Sequence, residues 1–154
     1  MQTFQRRGAT AARIALGLLF FVFGLNGFLH FLPTPPMPAA AGAFAGALFA
    51  TGYMFPLIKG TEVIAATLLL TNRLVALALV LLAPIVVNIV AFHTFLTPPN
   101  PIALLTLALE LYLAWSYRDA YRSVLAVRVA PTVSDPAKPN GTAEREGLRA
   151  VETG

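Results

Sequence analysis

The apolar positions of the chain fall into blocks separated by short polar or proline-rich breaks, and a block of about 20 apolar residues is what a helix needs to cross a bilayer. The first block, IALGLLFFVFGLNGFLHFL, has 19 residues, or roughly 28 Å of helix. With Arg13 in front of it, it predicts a first crossing over 13–32. The next apolar stretch, AAAGAFAGALFA over 39–50, is too short to span and predicts a short helix on the outer face. A second crossing is expected over 54–71, with Pro56 in its first turn. A third is expected over 74–96 with Pro84 mid-helix, where the missing N–H frees the carbonyl of Val80 and predicts a kink. The fourth follows TPPNP, with Asn100 as N-cap and Pro101 as first helical residue, and runs over 100–121.

Charge placement orients the four crossings, because cytoplasmic flanks collect Lys and Arg. Arg6, Arg7 and Arg13 precede the first helix, Arg73 sits in the second connection, and Arg118, Arg122 and Arg128 follow the fourth. Both termini are then cytoplasmic. A further span over 39–57 would put the N-terminal arginines on the opposite side from Arg73. Trp115, Tyr117 and Tyr121 suit an inner aromatic belt. The expected fold is all-α, an integral membrane four-helix bundle over residues 1–128 with a short outer-face helix between helices one and two. After it, residues 129–154 are rich in Pro, Gly and charge and read as a disordered cytoplasmic tail.

Composition agrees: 57% of the 154 residues are hydrophobic and 12% charged, far from a soluble domain. The net charge of +4 lies mostly outside the apolar blocks, so it speaks for topology and contact with anionic membrane lipid and against nucleic acid. The absence of cysteine excludes disulfides, a thiolate metal site and a dithiol relay. Nine arginines against two lysines, with abundant alanine, suggest a GC-rich bacterium and hence a multi-pass protein of the bacterial inner (plasma) membrane.

Polar groups inside the apolar blocks are where chemistry is expected, since charges in a membrane interior are costly. Seven qualify: Asn26, His30, Lys59, Glu62, Asn88, His93 and Glu110. Asn26 and His30 are spaced i, i+4, and Lys59 and Glu62 i, i+3, so each pair shares a helix face. His30 and His93 lie at one depth near the outer ends of their helices. Glu62 and Asn88 lie deeper, and Glu110 sits near the midplane without a partner on its own helix. Gly17, Gly24 and Gly27 form a small-residue stripe that lets another helix approach. The bland readings are an ion pair for Lys59 and Glu62 and interhelical hydrogen bonding for Glu110. The sharper readings make both carboxylates proton-handling groups, entered here as candidate catalytic residues. Asn26, His30, Lys59, Asn88 and His93 are the candidate cofactor-binding residues. Two histidines at one depth also raise bis-histidine haem or a His/Glu metal site, but neither has a supporting cluster, and no metal is expected. A quinone headgroup suits the same depth better, needing only a donor and an aromatic wall such as Phe20, Phe23, Phe31, Phe92 and Phe95 supply.

The segment RIALGLLFFVFGLNGF, the glutamate near the start of TEVIAATLLLTNRLVALAL with its short Asn72-Arg73 connection, and the FHTFL end of the third helix together resemble the DoxX family of small four-helix membrane proteins. The resemblance runs from Arg13 to Leu125. Glu62 falls where such proteins commonly carry a glutamate and Arg13 where they often open the first helix. Gly27 stands where many members carry a lysine, a departure from the pattern. The resemblance implies association with quinone-linked or sulfur-linked respiratory oxidation.

The leading expectation is a redox-associated subunit that binds a quinone or similar apolar molecule in the outer half of the bundle. Glu62 would handle the proton or anchor the headgroup, and His30 and His93 would donate hydrogen bonds. A membrane oxidoreductase partner would supply electrons, so the chain is at most a subunit of an enzyme. The alternatives are a proton-coupled transporter of a lipophilic solute working as a homodimer, with Glu62 and Glu110 titrating, and a structural assembly factor.

Overall fold

The computed structural model describes residues 2–33 and 36–122, with side chains from residue 6 onward. The tail expected over 129–154 lies outside the described residues. The architecture is all-α: α1 (Gln2–Leu29), α2 (Ala39–Ala50), α3 (Met54–Leu70), α4 (Val75–Phe95) and α5 (Pro101–Ser116), followed by a 3-10 turn at Arg118–Tyr121. Among the described residues two helices are long and apolar enough to cross a membrane, α1 from Arg6 and α4, and α2 with α3 makes a third candidate if that bent pair is one span. The chain is thus a multi-pass membrane protein by the length and composition of its helices.

Helix α1 starts well ahead of the apolar block. Its first turns, QTFQRRGATAA, are polar but rich in good helix formers and free of proline, so nothing breaks the helix before the apolar residues begin. It ends at Leu29 because His30 takes a left-handed conformation, φ 51°, while donating its N–H to the Asn26 carbonyl at 2.9 Å. The Asn26 side chain secures the reversal, its Oδ1 accepting from the Leu32 N–H at 2.6 Å.

Between α3 and α4 the chain turns in four residues. Arg73 N–H bonds the Leu68 carbonyl (2.9 Å) and Asn72 N–H the Leu69 carbonyl (3.1 Å), the paired closure of a Schellman motif. Asn72 sits left-handed at φ 56°, a conformation asparagine tolerates better than most residues. Helix α4 continues through Pro84 without a break. Helix α5 opens as its sequence predicts, Asn100 Oδ1 accepting from Ile102 N–H at 2.9 Å with Pro101 next.

Helices α1, α3, α4 and α5 close a ring: α1 packs on α3 and α5, and α4 packs on the same two. Leu16, Phe20, Leu69, Leu79, Leu82, Val86 and Leu113 fill its centre and are almost wholly buried. The glycine stripe faces α3, with Gly17 against Leu69 and Leu70, Gly24 against Glu62 and Val63, and Gly27 against Lys59. A Cβ at Gly24 would stand 2.9 Å from Val63 and one at Gly27 only 2.5 Å from the Lys59 stem, so this antiparallel contact requires the glycines. Helix α2 turns away from α3 by 91°. Phe44 meets Phe92 of α4 with ring centroids 5.8 Å apart, and Phe49 stacks on Phe55 at 4.0 Å, so α2 rests against both α4 and α3.

Candidate functional site

All four ring helices line a cavity of about 210 Å³. Leu19, Phe20 and Phe23 come from α1, Lys59 and Glu62 from α3, and Ile89 and His93 from α4. Asn100, Ile102, Ala103 and Thr106 complete it from the start of α5. The walls are apolar and the polar groups few and convergent, the usual constitution of a small-molecule site.

Its charged element is local in sequence. Lys59 Nζ donates to both oxygens of Glu62, at 2.9 and 2.8 Å, as the i, i+3 spacing predicts. The Glu62 side chain is only 3% exposed and that of Lys59 20%, so the carboxylate is enclosed while the ammonium reaches the edge of the cavity. An ammonium has three protons and two are engaged here, leaving one for another acceptor. Lys59 can stand so close to α1 because Gly27 has no side chain.

His93 is half-buried, and its Nδ1 lies 2.9 Å from the Ile89 carbonyl. A carbonyl only accepts, so Nδ1 carries the hydrogen, and in the neutral ring Nε2 is an acceptor. With Nδ1 donating to Ile89, the second ring nitrogen is an acceptor in the neutral ring and a donor when the ring is protonated. Thr106 spends its hydroxyl proton on the Ile102 carbonyl at 2.8 Å. Asn100 uses its oxygen as the cap and keeps its NH₂.

The other expected residues do not line this cavity. Asn26 is occupied in closing α1, and His30 is the exposed left-handed residue beyond it. Asn88 is exposed on the outer side of α4, so of the two candidate residues on that helix His93 is the one that reaches the cavity. Of the five phenylalanines, Phe20 and Phe23 form the aromatic wall, whereas Phe95 is 81% exposed. No group of three or more His, Asp or Glu residues suited to a metal ion occurs among the described residues.

A second polar layer lies deeper. Glu110 is buried, and its Oε2 has no hydrogen-bond partner among the described residues. On α1, Arg13 is buried as well, its guanidinium donating to the Leu69 carbonyl and, at 3.4 Å, to that of Leu70. These are terminal carbonyls of α3, so Arg13 caps that helix and meets the negative end of its dipole. Arg13 Nε is left without a partner among the described residues. Both residues fall between the cavity, where Phe20 and Thr106 meet, and the contact of Gly8 with Tyr112.

Sequence reasoning missed Asn100 and Thr106 as lining residues and Arg13 as a buried one. The first two were hidden by a capping role and by an ordinary helix hydroxyl. Arg13 resembled a topology-setting flank, and only its place directly before Ile14, the first residue of the apolar block, hinted otherwise. The likeness to known proteins adds nothing to this picture. No family model, curated protein or solved structure matches the chain. The resemblance to the DoxX family therefore rests on the motifs quoted above.

Proposed function

We propose that this chain is a DoxX-like, redox-associated membrane subunit that crosses the bilayer four times, with both termini cytoplasmic, and binds a quinone or similar apolar carbonyl compound in the cavity beside Lys59 and Glu62. The observation that carries this reading is the cavity itself: aromatic and aliphatic walls from four helices, lined also by Lys59, His93 and Asn100, each of which keeps hydrogen-bonding capacity beyond the bonds described above. The right angle between α2 and α3 suits a helix lying in the interface beside one that crosses, which supports reading the cavity as lying in the outer half of the bundle. Helix α5, at 16 residues, reaches about 24 Å, so with its 3-10 turn it spans the remaining crossing.

A quinone carbonyl offers acceptors that become hydroxyl donors when it takes up two electrons and two protons. The residues are matched to both forms. Lys59 donates its third proton to a carbonyl oxygen, held in place by Glu62, which acts through the lysine. His93 accepts from a hydroxyl through Nε2, and Asn100 donates from its amide. Phe20 and Phe23 exclude water and supply flat apolar walls. Electrons come from a partner of the membrane oxidoreductase kind, since the chain has neither cysteine nor a metal-binding cluster among the described residues.

The test is organic extraction and mass spectrometry of the protein purified in mild detergent, after incubation with ubiquinone and menaquinone. One molecule of quinone per chain, reduced at least tenfold in Lys59→Met and Glu62→Gln, supports the reading. No retained quinone, or equal retention in all three proteins, overturns it.

One observation favours a second reading, proton-coupled movement of a lipophilic solute: Glu110, buried with an unpartnered oxygen below the cavity. On that reading Glu110 and Glu62 exchange protons as the solute passes. Proton release on solute binding, abolished in Glu110→Gln, is its distinguishing signal.

A further inference from the structure

Asn88 is the membrane-level polar side chain of α4 that the cavity does not use. It stands inside a helix that is otherwise apolar on nearly every side, VALALVLLAPIVVNIVAFHTF. It is exposed on the outside of the bundle, and its amide makes no hydrogen bond among the described residues. An amide left facing hydrocarbon without a partner costs free energy. Four residues earlier Pro84 contributes no N–H, so the carbonyl of Val80, on an exposed residue, also lacks its helix partner.

The residues around Asn88 on this flank follow a pattern. Leu77, Leu81, Pro84, Asn88, Ala91 and Phe95 are spaced four, three, four, three and four apart, the seam of a heptad repeat. The seam is centred away from Ala78, Leu82 and Val86, which face the core, although Leu81 at its flank also packs against the core. Leu77 and Phe95 at its ends are exposed, at 47% and 81%. One asparagine within an otherwise apolar seam is the arrangement that sets register and number of strands in helix pairs.

We propose that a second copy of this chain docks on this seam, the two α4 helices running parallel about a two-fold axis along the bilayer normal, with the two Asn88 amides hydrogen-bonded to each other. A carboxamide carries donors and acceptors together, so it is complementary to its own copy, as the residue on the axis of an isologous interface must be. Two copies inserted with the same orientation bring Asn88 to the same depth without further adjustment.

The chain has no cysteine, so single cysteines report contacts cleanly in the full-length protein in lipid bilayers. Ala91→Cys, next to Asn88 on the seam, gives a disulfide-linked species of twice 16.4 kDa on mild oxidation. Ile64→Cys, on the exposed flank of α3, does not. Adding Asn88→Leu to the Ala91→Cys protein lowers the linked fraction about fivefold or more at high lipid dilution, and Asn88→Gln restores it. Because Asn88 is exposed, Asn88→Leu leaves the helix content unchanged by circular dichroism, which separates lost association from lost folding. The proposal is overturned if Ala91→Cys links no better than Ile64→Cys, or if Asn88→Leu links as well as its parent.

Discussion

The bundle buries two glutamates and treats them differently. Glu62 meets an ammonium one helical turn away, which binds both its oxygens, and the pair borders a cavity. Glu110 lies deeper, with one oxygen unpartnered among the described residues. The positive group of that layer, Arg13, is committed to the end of α3. A carboxylate matched from its own helix is fixed as soon as that helix forms. One that depends on another helix is fixed only when the bundle assembles, and here the arginine goes to backbone carbonyls instead. The outer layer is therefore a rigid polar wall and the inner layer holds spare hydrogen-bonding capacity.

Breaking the outer pair should give the largest effect. Lys59→Met leaves Glu62 enclosed and unpaired, which is expected to cost about 3–5 kcal/mol in unfolding titrations from mild to denaturing detergent. The double variant Lys59→Met/Glu62→Leu should recover most of that loss, because the stranded charge goes with its partner. If the single and double variants are equally unstable, the pair contributes packing and not charge matching. Next comes Gly27→Leu, whose side chain must displace the Lys59 stem. About 1–3 kcal/mol of destabilisation is expected, together with weaker quinone retention. Asn100→Ala should cost about 1 kcal/mol as a lost cap, measured in the same titration. The smallest effect belongs to the inner layer: Glu110→Gln keeps the shape and removes the ionisable group, so stability should change by about 0.5 kcal/mol or less. A loss as large as that of Lys59→Met would mean that Glu110 is held as a matched charge and would erase the contrast between the layers.

These contrasts also explain what could be read from the chain beforehand. Features that depend on residues within one or two turns were legible: the short helix at Ala39–Ala50, the Lys59–Glu62 pair, the glycine stripe of α1 and the Asn100 cap. Each is a spacing argument on a single helix. Features that depend on which way a helix is rotated, or on a distant backbone, were not. Helix α4 is apolar almost all round, so its core face cannot be told from its outer face, and Asn88 was placed inward when it points out. His30 shared a face with Asn26 only if the helix continued, and it stops at Leu29. The Arg13 contacts join residues 56 and 57 positions apart, beyond any local pattern.

The meeting of Gly27 with Lys59 carries a consequence for the history of such proteins. The stem of the lysine fills the space that a side chain at 27 would take, so positions 27 and 59 share one volume that admits a single long residue. A basic group can be delivered there from either helix, but not from both. In related sequences the two positions should vary as a seesaw, a lysine at one accompanied by glycine or alanine at the other. A lineage could pass the charge from one helix to its neighbour only through an ancestor in which both residues were small and Glu62 stood without its counterion.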